Sequence, residues 1–213
     1  MAATAGHLTG HEAIAARFND VDPVYYEIRD LRIMGFVTFL LSDCILFASL
    51  IFTYVYLRLS APVWPPYLNG HQLAWFDTSF AAYNSIVLFG SGVTMHFALM
   101  NWKNLNKGKF YAWLIATIVL GLAFLGGQAH EWSGVLAQGI TWTNSTFGMA
   151  FYLLTGLHGL HVTIGAVFLT ILGLQAYAGV YTGNKYMGLI AGTLYWHFVD
   201  VVWVVLFTLF YLW

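Results

Sequence analysis

The nine residues Tyr195, Trp196, His197, Phe198, Val199, Asp200, Val201, Val202 and Trp203 constrain this chain more than any other stretch. They lie within a run from Met187 to Trp213 that has no Lys, Arg or Glu, and about 20 apolar residues are enough for one helix to cross a bilayer. The run therefore predicts a transmembrane helix with an imidazole and a carboxylate near its middle. At i, i+3 the two groups share a helix face. Against lipid either would cost several kcal/mol, so both are expected to face protein, within this chain or in an adjoining subunit.

The remaining sequence supports a membrane class. Of 213 residues 60% are hydrophobic and only 8% are charged, which excludes an ordinary soluble domain and implies an all-α integral membrane bundle. Five apolar runs, at about residues 33–57, 80–100, 111–130, 147–174 and 187–213, predict five transmembrane helices in one domain, residues 33–213. Residues 1–32 form an arm without an apolar signal core. Arg17, Arg29, Arg32, Lys103, Lys107, Lys109 and Lys185 all fall on one side of these spans, and only Arg58 falls on the other. The positive-inside rule then puts the N-terminus in the cytoplasm and the C-terminus outside.

The first connection, from Ala61 to Tyr67, holds Pro62, Pro65 and Pro66 and should be extended. Trp64, Trp75, Trp132 and Trp142 crowd the same side and read as interfacial anchors. Glycines in the second, third and fourth spans should let helices approach closely. The single cysteine, Cys44, excludes a disulfide framework and a cysteine-ligated metal or iron–sulfur site. No basic cluster points to nucleic acid.

Three sets of polar residues fall inside the spans. Asp43 lies eleven residues after Arg32, about 16 Å along a helix, and shares a face with Phe36, Phe47, Leu50 and Tyr54. It is either a neutral acid bonded to a neighbouring helix or a proton-relay or headgroup-contacting acid. His158 and His161 stand at i, i+3 in the fourth span, at a depth similar to that expected for His197 and Asp200 in the fifth. Such a group could ligate a metal or a haem. A His–Asp hydrogen-bond network locking the fourth span to the fifth satisfies the same side chains without an ion, and is the expectation adopted, with no metal site. Glu131 closes the third run beside Gln128 and His130, as an outer-boundary acid able to reach water. His96 and His71 are expected to be solvated. No nucleophile–base pair, phosphate loop or dinucleotide fingerprint is present, so no self-contained active site is expected.

Two segments carry a family resemblance. Thr155-Gly156-Leu157-His158-Gly159-Leu160-His161-Val162, followed by Gly165, and the Tyr195–Trp203 stretch resemble the most characteristic sequences of subunit III of the haem-copper oxidases. Gln128 to Trp132 and Ser42-Asp43 are weaker matches to the same family. The resemblance implies a five-helix bacterial subunit without redox centres, in the inner membrane. It would pack beside oxidase subunits I and II, which carry the haems and copper, reduce oxygen to water and pump protons. It would also bind structural phospholipids and support assembly and sustained proton uptake. Asp43 matches the family's buried acid, and His158, His161, His197 and Asp200 match its interhelical polar core.

The departures are specific. Longer members have seven helices, and the missing pair is either absent or supplied by an extended subunit I. Gln175 and Ile190 stand where many relatives carry a basic residue and Glu. The expected electron donor is cytochrome c through other subunits, with quinol as the alternative. A haem-binding quinone-linked anchor is less favoured because His96 lacks a matched partner, and a proton-coupled transporter is less favoured because no internal repeat is visible.

Overall fold

The computed structural model describes residues 31–64, 78–181 and 186–213. The expectations placed on residues 1–30, on Pro65, Pro66 and Tyr67, on His71 and Trp75 and on Lys185 lie outside the described residues. Among those described there are five α-helices and no strand: α1 (Leu31–Ser60), α2 (Thr78–Lys103), α3 (Lys107–Ala137), α4 (Thr146–Tyr177) and α5 (Met187–Phe207), which runs into a π-helical turn at Thr208–Leu212. Four of them, α1, α3, α4 and α5 with its turn, are long and apolar enough to cross a membrane. α2 has the length but not the hydropathy, because Asn84, Ser85, Ser91, Thr94 and His96 interrupt it.

The chain divides into two compact units at Phe39. In the first, the opening turns of α1 are tied by the Thr38 hydroxyl, which donates to the Met34 carbonyl at 2.9 Å. The Phe36 and Phe39 rings lie 6.1 Å apart. The second unit, Leu40–Trp213, contains the bundle.

Two helix ends differ from the apolar runs. α3 continues through Glu131 to Ala137, and α5 gives way to a wider turn at Thr208. An apolar run ends where polarity begins, whereas a helix ends where its last carbonyls find other donors. At α3 this happens at Gly139, whose φ of 79° carries the chain out of the helix while Ile140 N–H closes on the Val135 carbonyl. Asn144 then organises the connection, donating to the Gly139 carbonyl at 2.6 Å and accepting from Thr141 N–H at 2.8 Å. Ser145 caps α4 by accepting from Gly148 N–H.

Polar bonds tie the helices in pairs. From α5, the Trp196 indole donates to Ser91 of α2 at 2.9 Å and the Trp203 indole donates to Ser85 at 2.8 Å. Tyr195 donates to the His161 carbonyl of α4 at 3.1 Å. Between α2 and α3, Asn84 donates to the Phe124 carbonyl, and the Thr94 and Thr117 hydroxyls meet at 2.8 Å. Missing side chains make room for this packing. A Cβ at Gly121 would stand 2.7 Å from the Trp196 ring, and one at Gly165 would stand 2.9 Å from Tyr195.

The basic exception to the charge rule has a structural role. Arg58, near the end of α1, donates to the Leu209 and Trp213 carbonyls, with the Trp213 ring 4.4 Å from its guanidinium carbon. Tyr54, one turn earlier, also donates to the Leu209 carbonyl, and Phe210 packs on its ring at 4.6 Å. From α3, Glu131 accepts a 2.7 Å bond from Tyr211. Among the described residues, Arg58 and Glu131 therefore both hold the final turn, Arg58 by donating to its carbonyls and Glu131 by accepting from Tyr211. Arg58→Leu is expected to lower the apparent melting temperature and open the 208–213 turn to limited proteolysis. Charge-assisted bonds contribute about 1.5–3 kcal/mol. An unchanged digestion rate would show that Arg58 does not hold the turn.

Candidate functional site

Asp43 lies on the inner seam of α1. Phe47 and Tyr54 on the same face are buried, while Leu41, Ile45, Phe52 and Tyr56 around them are exposed. The seam delivers the carboxylate to α4, where Asp43 Oδ2 lies 3.8 Å from His161 Nε2, with both side chains largely buried. His161 Nδ1 sits 2.8 Å from the Leu157 carbonyl. A carbonyl can only accept, so Nδ1 carries the proton and the ring presents Nε2 to the acid. At that separation Oδ2 and Nε2 face each other without a direct hydrogen bond. Phe47 closes the pair from one side, 5.1 Å from the imidazole centroid.

The tail groups form a separate pair. His197 Nδ1 and Asp200 Oδ2 lie 3.6 Å apart within α5, and the carboxylate seats over Gly92 of α2, where any Cβ would overlap it. Among the described residues no hydrogen bond joins this pair to Asp43 and His161. Sequence reasoning placed His158, His161, His197 and Asp200 in one network between the fourth and fifth helices; the structure pairs His161 with Asp43 of α1, pairs His197 with Asp200 along α5, and leaves His158 outside both pairs.

His158 joins neither pair. Its ring is fully buried, stacks on Trp203 at 4.9 Å and meets Phe124 edge-on at 5.8 Å. Neither of its nitrogens reaches a hydrogen-bond partner among the described residues. The α3–α4 bonds come from neighbours instead. Gln128 donates to the Thr155 carbonyl at 2.6 Å, and the Trp132 indole donates to the Thr155 hydroxyl at 3.1 Å.

Glu131 is not the last residue of its helix, as expected, but lies within α3 and takes the Tyr211 bond. His96 is exposed beside Phe97 on α2, and Cys44 is exposed on α1. Among the described residues no three His, Cys, Asp or Glu side chains converge on a metal position.

Sequence reasoning missed the serine acceptors of α2 and the Gln128–Thr155 bond. Buried indoles require acceptors, so Trp196 and Trp203 seven residues apart, against Ser85 and Ser91 six apart, were the available signal.

Comparison with known proteins identifies the family. Residues 25–213 match the family model for cytochrome c oxidase subunit III. The chain belongs to that family. It is 38% identical over 184 residues to cytochrome c oxidase subunit 3 of Synechocystis sp., covering 86% of this chain and 76% of the relative. Cytochrome c oxidase subunit 3 of Bacillus subtilis is 38% identical over 185 residues, covering 85% and 86% of the two chains. The cytochrome bo(3) ubiquinol oxidase subunit 3 of Pseudomonas putida is 34% identical over 182 residues, covering 85% and 86%. The chain is thus a subunit III of the haem-copper oxidases and a multi-pass membrane protein, with relatives in both cytochrome c and quinol enzymes.

The stacked His158 gives a direct test of its role. His158→Phe, which keeps a ring against Trp203, should preserve most of the subunit in the membrane. His158→Ala should lose about 3 kcal/mol through the cavity it leaves. Recovery measured by immunoblot after solubilisation checks this, and equal loss in both variants would show that the nitrogens matter.

Proposed function

We propose that this chain is the non-catalytic subunit III of a cytochrome c oxidase in a bacterial inner membrane, with subunit III of a quinol oxidase as the second reading. The second reading has its own support in the Pseudomonas putida relative. In both, partner subunits I and II hold the haems and copper, and this chain supports assembly, lipid binding and sustained proton uptake beside them. It has no active site of its own.

The single observation that carries the proton-uptake role is the Asp43–His161 pair, an acid and a base 3.8 Å apart on facing helices and largely shielded from the surface. An intramembrane acid is costly and is a functional hypothesis by default. Paired with a tautomerically fixed imidazole, Asp43 faces a base to which its proton can pass without changing the net charge of the pair. His197 and Asp200 serve as an interhelical polar contact, with the carboxylate wedged between α5 and α2.

Five spans are proposed, with α2 included. Ser85 and Ser91 turn to α5, and Asn84 and Thr94 turn to α3, so of the polar residues that lower the hydropathy of α2 all but the exposed His96 are used inside the bundle. The N-terminus then lies in the cytoplasm and Arg58, Glu131 and the final turn lie at the outer boundary, consistent with the distribution of basic residues. Lipid binding finds support in a groove of about 860 Å³ between α3 and α4, lined by Trp132, Leu136, Tyr152, Leu153 and Leu157, which suits an acyl chain.

Asp43→Ala is expected to leave the complex assembled while shortening its catalytic lifetime or slowing proton uptake. Oxygen consumption followed over many turnovers of the purified enzyme measures this. A time course identical to that of the unaltered enzyme would contradict the assignment. Co-purification tests the broader assignment: the chain should travel with a haem-bearing polypeptide, and its recovery without one would overturn the subunit reading.

A further inference from the structure

The His197 face of α5 presents a polar group where none can be left open. Met187–Leu212 is apolar and long enough to span a membrane, and His197 lies ten residues from its start, about 15 Å along the axis. That is about the midpoint of a hydrocarbon layer roughly 30 Å thick. Yet the His197 side chain is 44% exposed, while its neighbour Asp200 is only 13% exposed.

The surroundings fix which atom is offered. Asp200 is held in the slot above Gly92, and His197 turns Nδ1 towards it at 3.6 Å. Nε2, on the opposite edge of the ring, is left to the outside. Around it run Leu194, Val201, Val204 and Val205, all exposed. At 100° per residue these four and His197 fall on one stripe of the helix. Short aliphatic side chains on that stripe permit close approach by another helix.

Lipid does not complement this surface. Acyl chains offer no hydrogen bond, and headgroups on either side are about 15 Å away. We propose that this stripe is the docking surface for a transmembrane helix of a companion oxidase subunit, one that brings a hydrogen-bonding side chain to His197 Nε2 at the membrane midplane. The choice of partner rests on the assignment as an oxidase subunit; the choice of face rests on the exposed imidazole in its apolar stripe. Asp200 is then a positioning residue that orients the ring for the partner.

The assembled complex provides the test. A photo-reactive benzophenone amino acid placed at Val201, one turn from His197, should cross-link to another subunit on irradiation. The same probe at Leu153, exposed on α4, should not. A Val201 probe that labels only lipid or detergent, or that labels no subunit, would overturn the proposal. His197→Leu should leave the amount of chain in the membrane unchanged but reduce its co-purification with companion subunits at least fivefold, and His197→Gln, able to donate and accept, should restore at least half. Wild-type co-purification of the Leu variant would also overturn it. If the Leu variant fails to accumulate, the cross-linking result at Val201 decides. Should the unaltered chain travel with no oxidase subunit, the functional assignment itself fails; should it travel with one while the Val201 probe stays silent, only the docking face fails.

Discussion

Buried indole-to-hydroxyl bonds between α5 and α2 are the contacts on which the bundle depends. In lipid, apolar side chains gain little by moving from acyl chains to protein, so helix association relies on close packing and on polar bonds. Trp196 and Trp203 supply both. Each is almost fully buried, each donates to a serine of α2, and each fills space beside a residue of α3 or α4, namely Gly121, Phe124, Gly165 or His158. Removing either ring would empty a site shared by three helices. α5 is thus the axis around which α2, α3 and α4 are arranged.

α1 is attached differently. Its inward contacts in the bundle lie along Asp43, Phe47 and Tyr54, ending at Arg58, and its other side chains are mostly exposed. The Asp43–His161 pair lies on this seam, flanked by the aromatic contacts of Phe47 on His161 and Phe198. The same seam that carries the acid carries the attachment of the helix. The proposed proton-uptake role and the attachment of α1 thus fall on the same position, and substitutions that remove the acid but keep the seam separate them.

Much of this was legible in the sequence. The apolar runs marked all five helices, and the heptad-like spacing of Asp43, Phe47, Leu50 and Tyr54 identified the inward face of α1, because a helical period depends only on local geometry. Partner choice was not legible in the same way. His158, His161, His197 and Asp200 look alike in spacing, yet His161 turns to Asp43 of α1, His197 pairs with Asp200 along α5 and His158 stacks on Trp203, with close approaches at Gly165 and Gly92 admitting the large rings and the Asp200 carboxylate. Glu131 and Arg58 looked like residues left at a boundary. Their role in holding the last turn emerged only once that turn was seen to widen after Phe207, which leaves Leu209 and Trp213 carbonyls to be met by Arg58.

The most direct test is a double-mutant cycle across the α5–α2 contact, with Trp196→Phe, Ser91→Ala and the two combined, read as thermal retention of the folded subunit. A bond that holds the bundle should appear as a coupling energy of about 0.6–1.7 kcal/mol, the range found for polar contacts between membrane helices. Strict additivity of the two substitutions would show that the indole and the hydroxyl act independently and would contradict the account.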